Sequence, residues 1–288
     1  LKALAQYKLF GFSDNNGIYV YNGFAAKQLY PLNEASVENT AAKINSIYEN
    51  FLSDCENAVV AVVPDKGFYL AKKSGHLSLD YDEIMRILQS KAPIGEYISL
   101  ADSLSEYCYY KTDTHWRQEK IAPAAEKIAA ALGTKLENSY TESTATDKFY
   151  GVYYGQSALS LPAESINYIT GKAIASAEVY NAETGKTAGV YDFDKLSGKD
   201  PYEFFLSGSV SLLKITNPEQ SNGKRLVVFR DSFGSSLIPY LIGSYSEITV
   251  VDTRYISPSL LSEYVDFSGC DALFLYSTLL INDSYTLK

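Results

Sequence analysis

Four short apolar runs constrain this chain more than anything else in it: residues 58–63, 226–229, 248–251 and 272–276. Each is continuous rather than alternating, and the first consists only of Val and Ala. A strand with one wet face alternates apolar and polar positions, whereas one with no polar position must be covered on both faces. Residues 34–54 precede the first run and place Val37, Ala41, Ile44, Ile47 and Phe51 on one helical face. A helix leading into a fully apolar strand is how a parallel sheet begins. The expected fold is α/β: a three-layer α/β/α sandwich with a mostly parallel sheet, in one domain over residues 1–288.

Other elements can be placed around that frame. Asn22-Gly23, between alternating residues of 16–30, predicts a tight hairpin. Residues 82–91 read as a helix, 97–100 as a short strand and 107–110 as a further strand. Ile121, Ala125, Ile128, Ala129 and Leu132 predict an amphipathic helix over 117–132, closed by Gly133. From 140 to about 200 the chain is rich in Tyr, Thr, Ser, Gly and Ala, and predicts an irregular, strand-rich insertion that packs on the sheet or covers its edge. One helical turn is expected at 202–206. The helix at 235–242 should be short or kinked, because Pro239 lies beyond its first turn.

Composition removes several classes of function. The formal charge is −9, and there is no Lys/Arg-rich run of the kind that tracks a phosphate backbone, so nucleic acid is not an expected partner. No apolar run is long enough to span a bilayer. The first residue is Leu1 rather than Met, which fits a leader removed upstream and an extracytoplasmic, secreted or surface-attached protein. Cys55, Cys108 and Cys270 are an odd number at no metal-ligand spacing. Cys108 and Cys270 sit in strand-like text and read as buried, inert thiols.

With only two histidines, His76 and His115, any His-dependent proton transfer must use one of them. His76 follows a loop-like lysine pair and reads as a solvated surface residue. His115 stands in Thr112-Asp113-Thr114-His115-Trp116, between a predicted strand and a predicted helix, where residues of an open α/β sheet line the ligand crevice. Asp113 could orient the imidazole as a hydrolase triad carboxylate does. It could equally be a helix cap beside a histidine bonded to a local carbonyl. Ser232 lies on a strand-to-helix turn, where its hydroxyl would be exposed and free N–H groups at the helix start could stabilise an oxyanion. A plain N-cap serine is the alternative there. Both turns fall at predicted carboxyl ends of strands, so serine, histidine and aspartate converge on one rim. Asp113 and His115 alone are too few for a metal site, and neither metal nor cofactor is expected.

The string Tyr109-Tyr110-Lys111-Thr112-Asp113-Thr114-His115-Trp116 resembles the signature of the bacterial DHHW family, with Thr114 in place of the first His of its Asp-His-His-Trp string. Residues 147–154, 204–208, 223–233 and 247–255 resemble further blocks of that family, in the expected order. The family is in turn similar to the SGNH-hydrolase-like domain of alginate O-acetyltransferases, which carry Asp-Thr-His followed much later by Asp-Ser-Phe. That resemblance implies an SGNH-hydrolase-like fold with Ser232, His115 and Asp113 as a permuted triad, the Asp-x-His block preceding the serine. It implies O-acetyl or other acyl transfer to, or removal from, a cell-surface polysaccharide, with the acyl donor unassigned. A non-catalytic polysaccharide-binding protein on the same fold is the competing class. Arg254, Tyr255 and Trp116 are expected to contact substrate, and for Arg254 a structural ion pair is the competing role.

Overall fold

A computed structural model describes residues 17–137, 139–156 and 161–288. Its strands are, in chain order, β1 (Ile18–Tyr21), β2 (Phe24–Lys27), β3 (Ala58–Val63), β4 (Glu96–Ser99), β5 (Thr141–Phe149), β6 (Glu164–Thr170), β7 (Glu178–Asn181), β8 (Lys186–Ala188), β9 (Leu212–Thr216), β10 (Arg225–Arg230), β11 (Glu247–Val251) and β12 (Cys270–Ser277). Eight form one sheet in the order β4-β3-β12-β10-β11-β9-β7-β8. The four apolar runs are its centre, and β4, β3, β12, β10 and β11 all run parallel. β9, β7 and β8 extend the sheet antiparallel, so it is mixed.

Side chains of the central strands alternate between two cores, as a period of two requires. Val59, Ala61, Val63, Leu226, Val228, Ile248, Val250, Leu273 and Leu275 pack on one face with the helices Ala122–Ala131 and Gly234–Leu241. Val60, Val62, Val227, Phe229, Phe274 and Tyr276 pack on the other with Glu34–Ile47 and Tyr81–Lys91. Phe229 and Phe274 stack there at 4.8 Å. Burying such a side chain stabilises by roughly 1.5–3 kcal/mol, and Thr249 is the one polar side chain buried within these runs.

Asn22 and Gly23 adopt φ of 49° and 82° between β1 and β2, the two left-handed residues a tight hairpin needs. Asn16, where the predicted hairpin begins, lies outside the described residues. Two expectations are corrected, and one strand was not expected. The helix expected over 117–132 begins at Ala122, after a 3₁₀ turn at Gln118–Lys120. Pro123 is the reason, since its ring is tolerated in a first turn but not five residues further in. The expected strand at 107–110 is a 3₁₀ turn, Glu106–Cys108, followed by a single antiparallel bridge between Tyr109 and Trp116. Residues 109–116 therefore form a loop beside the sheet instead of leaving a sheet strand. The antiparallel strand β9 was not expected. Between 140 and 200, β5 and β6 pair as a separate hairpin, while β7 and β8 lengthen the main sheet.

Because β3, β12, β10 and β11 are parallel, their carboxyl ends share one rim. Asp65 and Lys66 follow β3, Asp231 and Ser232 follow β10, Asp252 and Arg254 follow β11, and Ser277 ends β12. No helix among the described residues is long and apolar enough to cross a membrane.

Candidate active site

Ser232 lies one residue beyond Asp231 on the turn between β10 and the helix Gly234–Leu241. Asp231 shapes that turn. Its Oδ1 accepts from the Phe233 N–H at 3.0 Å, and its Oδ2 accepts from the backbone and hydroxyl of Ser277 at 2.9 and 2.6 Å. The serine is thereby tied to the end of the neighbouring strand β12. It caps nothing, since the helix starts after Phe233 without a side-chain cap. The N–H groups of Phe233, Gly234 and Ser235 are all engaged locally. Among the described residues the Ser232 N–H is the donor at this turn with no partner, which corrects the expectation of several free donors.

Ser232 Oγ stands 2.7 Å from His115 Nε2, and His115 Nδ1 stands 2.6 Å from Asp113 Oδ1. The turn at 113–115 is tight enough for the His115 N–H to reach the same oxygen at 2.9 Å. This is why an i, i+2 pair can face one another here. The second carboxylate oxygen accepts from the Val152 N–H at 2.8 Å. Asp113 is fully buried. Burial pushes its carboxyl up, but attraction to the imidazolium form of His115 and these hydrogen bonds outweigh that, and it titrates below the ordinary carboxylate range. An ionised Asp113 can only accept, so the proton belongs on Nδ1, and Nε2 of the neutral ring is the acceptor facing the serine.

Residues far away in sequence hold this loop in place. Glu164 accepts from the N–H groups of Lys111 and Thr112 and from the Thr112 hydroxyl, each at 2.8 Å. Gly151 passes so close that a Cβ there would lie 2.2 Å from the Asp113 Cβ. The stretch 147–154, singled out from the sequence, is thus the cradle of Asp113. Tyr202 lies flat on the imidazole, ring centroids 3.8 Å apart and planes within 4°, and its hydroxyl meets Ser236 Oγ at 2.7 Å. The 204–208 block follows in a turn where Leu206, Ser207 and Gly208 are all left-handed, and the buried Arg230 donates to the Gly208 carbonyl at 2.9 Å.

Beneath the loop sits Lys66, 2% exposed, whose ammonium donates to the Tyr110 carbonyl at 2.9 Å. Burial pulls it down to about 7 against the attraction of Asp113, Glu164 and Asp65. Neither Tyr202, Gly151, Glu164 nor Lys66 was foreseen. Only the resemblance of 147–154 and 204–208 to family blocks pointed near two of them.

The remaining expectations divide. Trp116 is fully buried, and its indole N–H is shared between Ser236 Oγ at 2.8 Å and the Phe233 carbonyl at 3.1 Å. It supports the serine turn from below and cannot touch a substrate. Arg254 is bound to buried Asp252 through Nη2 and Nε at 2.6 and 2.9 Å, the ion-pair role. Tyr255 is 49% exposed under the Arg254 guanidinium. His76 is half-buried, not solvated. It stacks on Tyr19 at 3.9 Å and pairs through Nδ1 with Ser74 Oγ at 2.9 Å. Chemically, the arrangement at 113, 115 and 232 can take a proton from a serine hydroxyl and hold the resulting imidazolium.

Comparison with solved structures finds the same fold. A DHHW family protein from Eubacterium siraeum DSM 15702 is 22% identical with a TM-score of 0.74, covering 93% of each chain. Bacillus cereus PatB1 with a sulfonyl adduct is 18% identical with a TM-score of 0.69, over 92% of this chain and 97% of that one. The O-acetyltransferase domain of Pseudomonas putida AlgJ is 12% identical with a TM-score of 0.55, over 92% of each. No curated protein matches the sequence. The DHHW protein family matches residues 83–251, more than half of the chain and all of the loop and turn just described, so the chain belongs to the DHHW family.

Proposed function

We propose that this chain is an SGNH-type serine enzyme that transfers an O-acetyl group to a cell-surface polysaccharide through an acetyl-serine intermediate. The observation that carries the reading is the continuous relay from Ser232 Oγ through His115 to Asp113, at 2.7 and 2.6 Å. Ser232 attacks the acyl carbonyl while His115 Nε2 takes its proton. Asp113 holds the ring and stabilises the imidazolium, which then protonates the leaving group. The Ser232 N–H is a donor to the oxyanion. A sugar hydroxyl, deprotonated by His115, takes the acyl group in the second half-reaction. The fold shared with the AlgJ domain, named an O-acetyltransferase, supports acetyl as the group transferred, and the polysaccharide acceptor is taken from the resemblance of the sequence to alginate O-acetyltransferases. Tyr255, exposed on the same rim, is the aromatic proposed to meet the glycan, with the Arg254 guanidinium held over its ring by Asp252. The reading takes an extracytoplasmic location, and treats the stretch from 140 to 200 as an insertion on an SGNH-like core of a single domain.

The test is to supply an activated acetyl ester with and without oligosaccharide acceptors, and to follow free acetate and acetylated sugar for wild type and Ser232→Ala. Acetylated sugar made by wild type alone supports the transferase. Acetate release unaffected by any acceptor replaces it with an O-acetyl esterase. Glycan binding with no ester consumption by either protein replaces it with a non-catalytic binding protein.

A further inference from the structure

Cys55 and Cys270, which the sequence presents as unrelated, lie with their sulfurs 3.7 Å apart across 215 residues. Cys55 is in the loop before β3, and Cys270 is the first residue of β12. The two segments are already fixed against each other around the thiols. The Ala272 N–H donates to the Asn57 carbonyl at 2.8 Å, and Asn57 Nδ2 donates to Asp271 Oδ1 at 2.8 Å. Phe51 stacks on Phe267 at 5.1 Å on the far side. A disulfide needs a sulfur separation of about 2.05 Å, so closing the pair takes a shift of roughly 1.7 Å, which side-chain rotation can share between both cysteines.

We propose that Cys55 and Cys270 are a disulfide-forming pair, oxidised by low-molecular-weight or protein disulfides, and that Cys108 stays outside the bridge. Cys55 is partly exposed and Cys270 buried, which sets the order of events. An external disulfide exchanges first with the Cys55 thiolate, giving a mixed disulfide and releasing one thiol. The Cys270 thiolate then attacks Cys55 Sγ and expels the second thiol. Two electrons pass to the reagent's disulfide and two thiol protons are carried away, so one S–S bond breaks and one forms. Once Cys55 is in the mixed disulfide it has no S–H left to donate, and the nearby Arg225 guanidinium is the group that favours the Cys270 thiolate in the second step. Among the described residues the Cys108 sulfur has Ser105 Oγ as its hydrogen-bond partner, at 3.7 Å.

The bridge would sit at the amino end of β12, the opposite rim from Ser232, so it should brace the fold without altering the site. The experiment treats the folded full chain with glutathione disulfide and then counts thiols after denaturation, with non-reducing peptide mapping. The expected result is one titratable thiol at Cys108, a Cys55–Cys270 linked peptide, and none free in Cys108→Ser. Against the reduced protein, thermal unfolding should shift upward by about 5 °C, while the rate of Ser232 labelling stays the same. Cys55→Ser and Cys270→Ser, each compared with the same variant under reducing conditions, should lose that shift. Three thiols surviving oxidation, stable glutathione adducts at Cys55, or a bridge to Cys108 would each overturn the proposal.

Discussion

Gly151→Ala tests the geometry of the site without replacing Ser232, His115 or Asp113. The added Cβ would lie 2.2 Å from the Asp113 Cβ, 2.4 Å from its Cα and 2.6 Å from Oδ2. Carbon atoms pack at about 3.5 Å, so the segment or Asp113 must move by roughly 1.3 Å. That movement strains the 2.8 Å hydrogen bond from the Val152 N–H. Overpacking costs about 1–3 kcal/mol, and a weakened hydrogen bond to a charged group adds to it, so stability should fall by about 3 kcal/mol. A displacement of this size at an orienting carboxylate should slow Ser232 acylation about 100-fold. The assay is the rate of covalent labelling by an aryl sulfonyl fluoride, read by intact mass, beside urea unfolding. Gly155→Ala is the control, since a Cβ there meets nothing within 4 Å. Wild-type labelling and unfolding in Gly151→Ala would refute the claim that residues 151–152 hold Asp113.

Ser232→Ala and His115→Ala should each abolish acyl turnover, and the double mutant should be scarcely worse than either, because triad members act as a unit. Losses that multiply in a substrate-turnover assay would argue for separate roles. Tyr202→Phe keeps the ring on His115 and should label within about 3-fold of wild type, whereas Tyr202→Leu, losing the stack, should slow labelling at least 10-fold. Equal rates for the two would remove the stack from the account. For Lys66 the folded pKa of about 7 lies below its unfolded value. Between those two values the unfolded chain therefore binds the extra proton, and stability rises with pH. The cost of burying the ammonium is fully felt below the folded value and is relieved above it. Relative to Lys66→Met, wild type should gain about 1.4 kcal/mol of stability per pH unit above neutrality. Parallel unfolding profiles of the two proteins against pH would contradict this.

The sheet was legible because a strand covered on both faces leaves no room for a polar residue, and 58–63, 226–229, 248–251 and 272–276 contain only apolar or uncharged β-forming side chains. The site was partly legible because two histidines leave little choice, and because Asp113 and His115 lie within one turn. What supports them was not. Glu164, Tyr202 and Ser277 meet the loop and the turn only through tertiary contacts, and nothing in their local sequence marks the partner. Trp116 shows the ambiguity from the other side: an aromatic beside a reactive residue reads equally as a sugar contact or a buried brace, and only burial separates them. β7 and β8 are short and largely exposed, and β9, though buried at Leu212, Leu213 and Ile215, is interrupted by Lys214, so none of the three carries the continuous apolar text that announced the centre.

Acylation of Ser232 can be observed by trapping the acetylated enzyme. Wild type mixed rapidly with an activated acetyl ester and quenched in acid should gain the mass of one acetyl group, mapped by peptide fragmentation to Ser232 and absent from Ser232→Ala. A folded wild-type protein that gains no acetyl group, or carries it equally on another residue when Ser232 is replaced, would contradict the account.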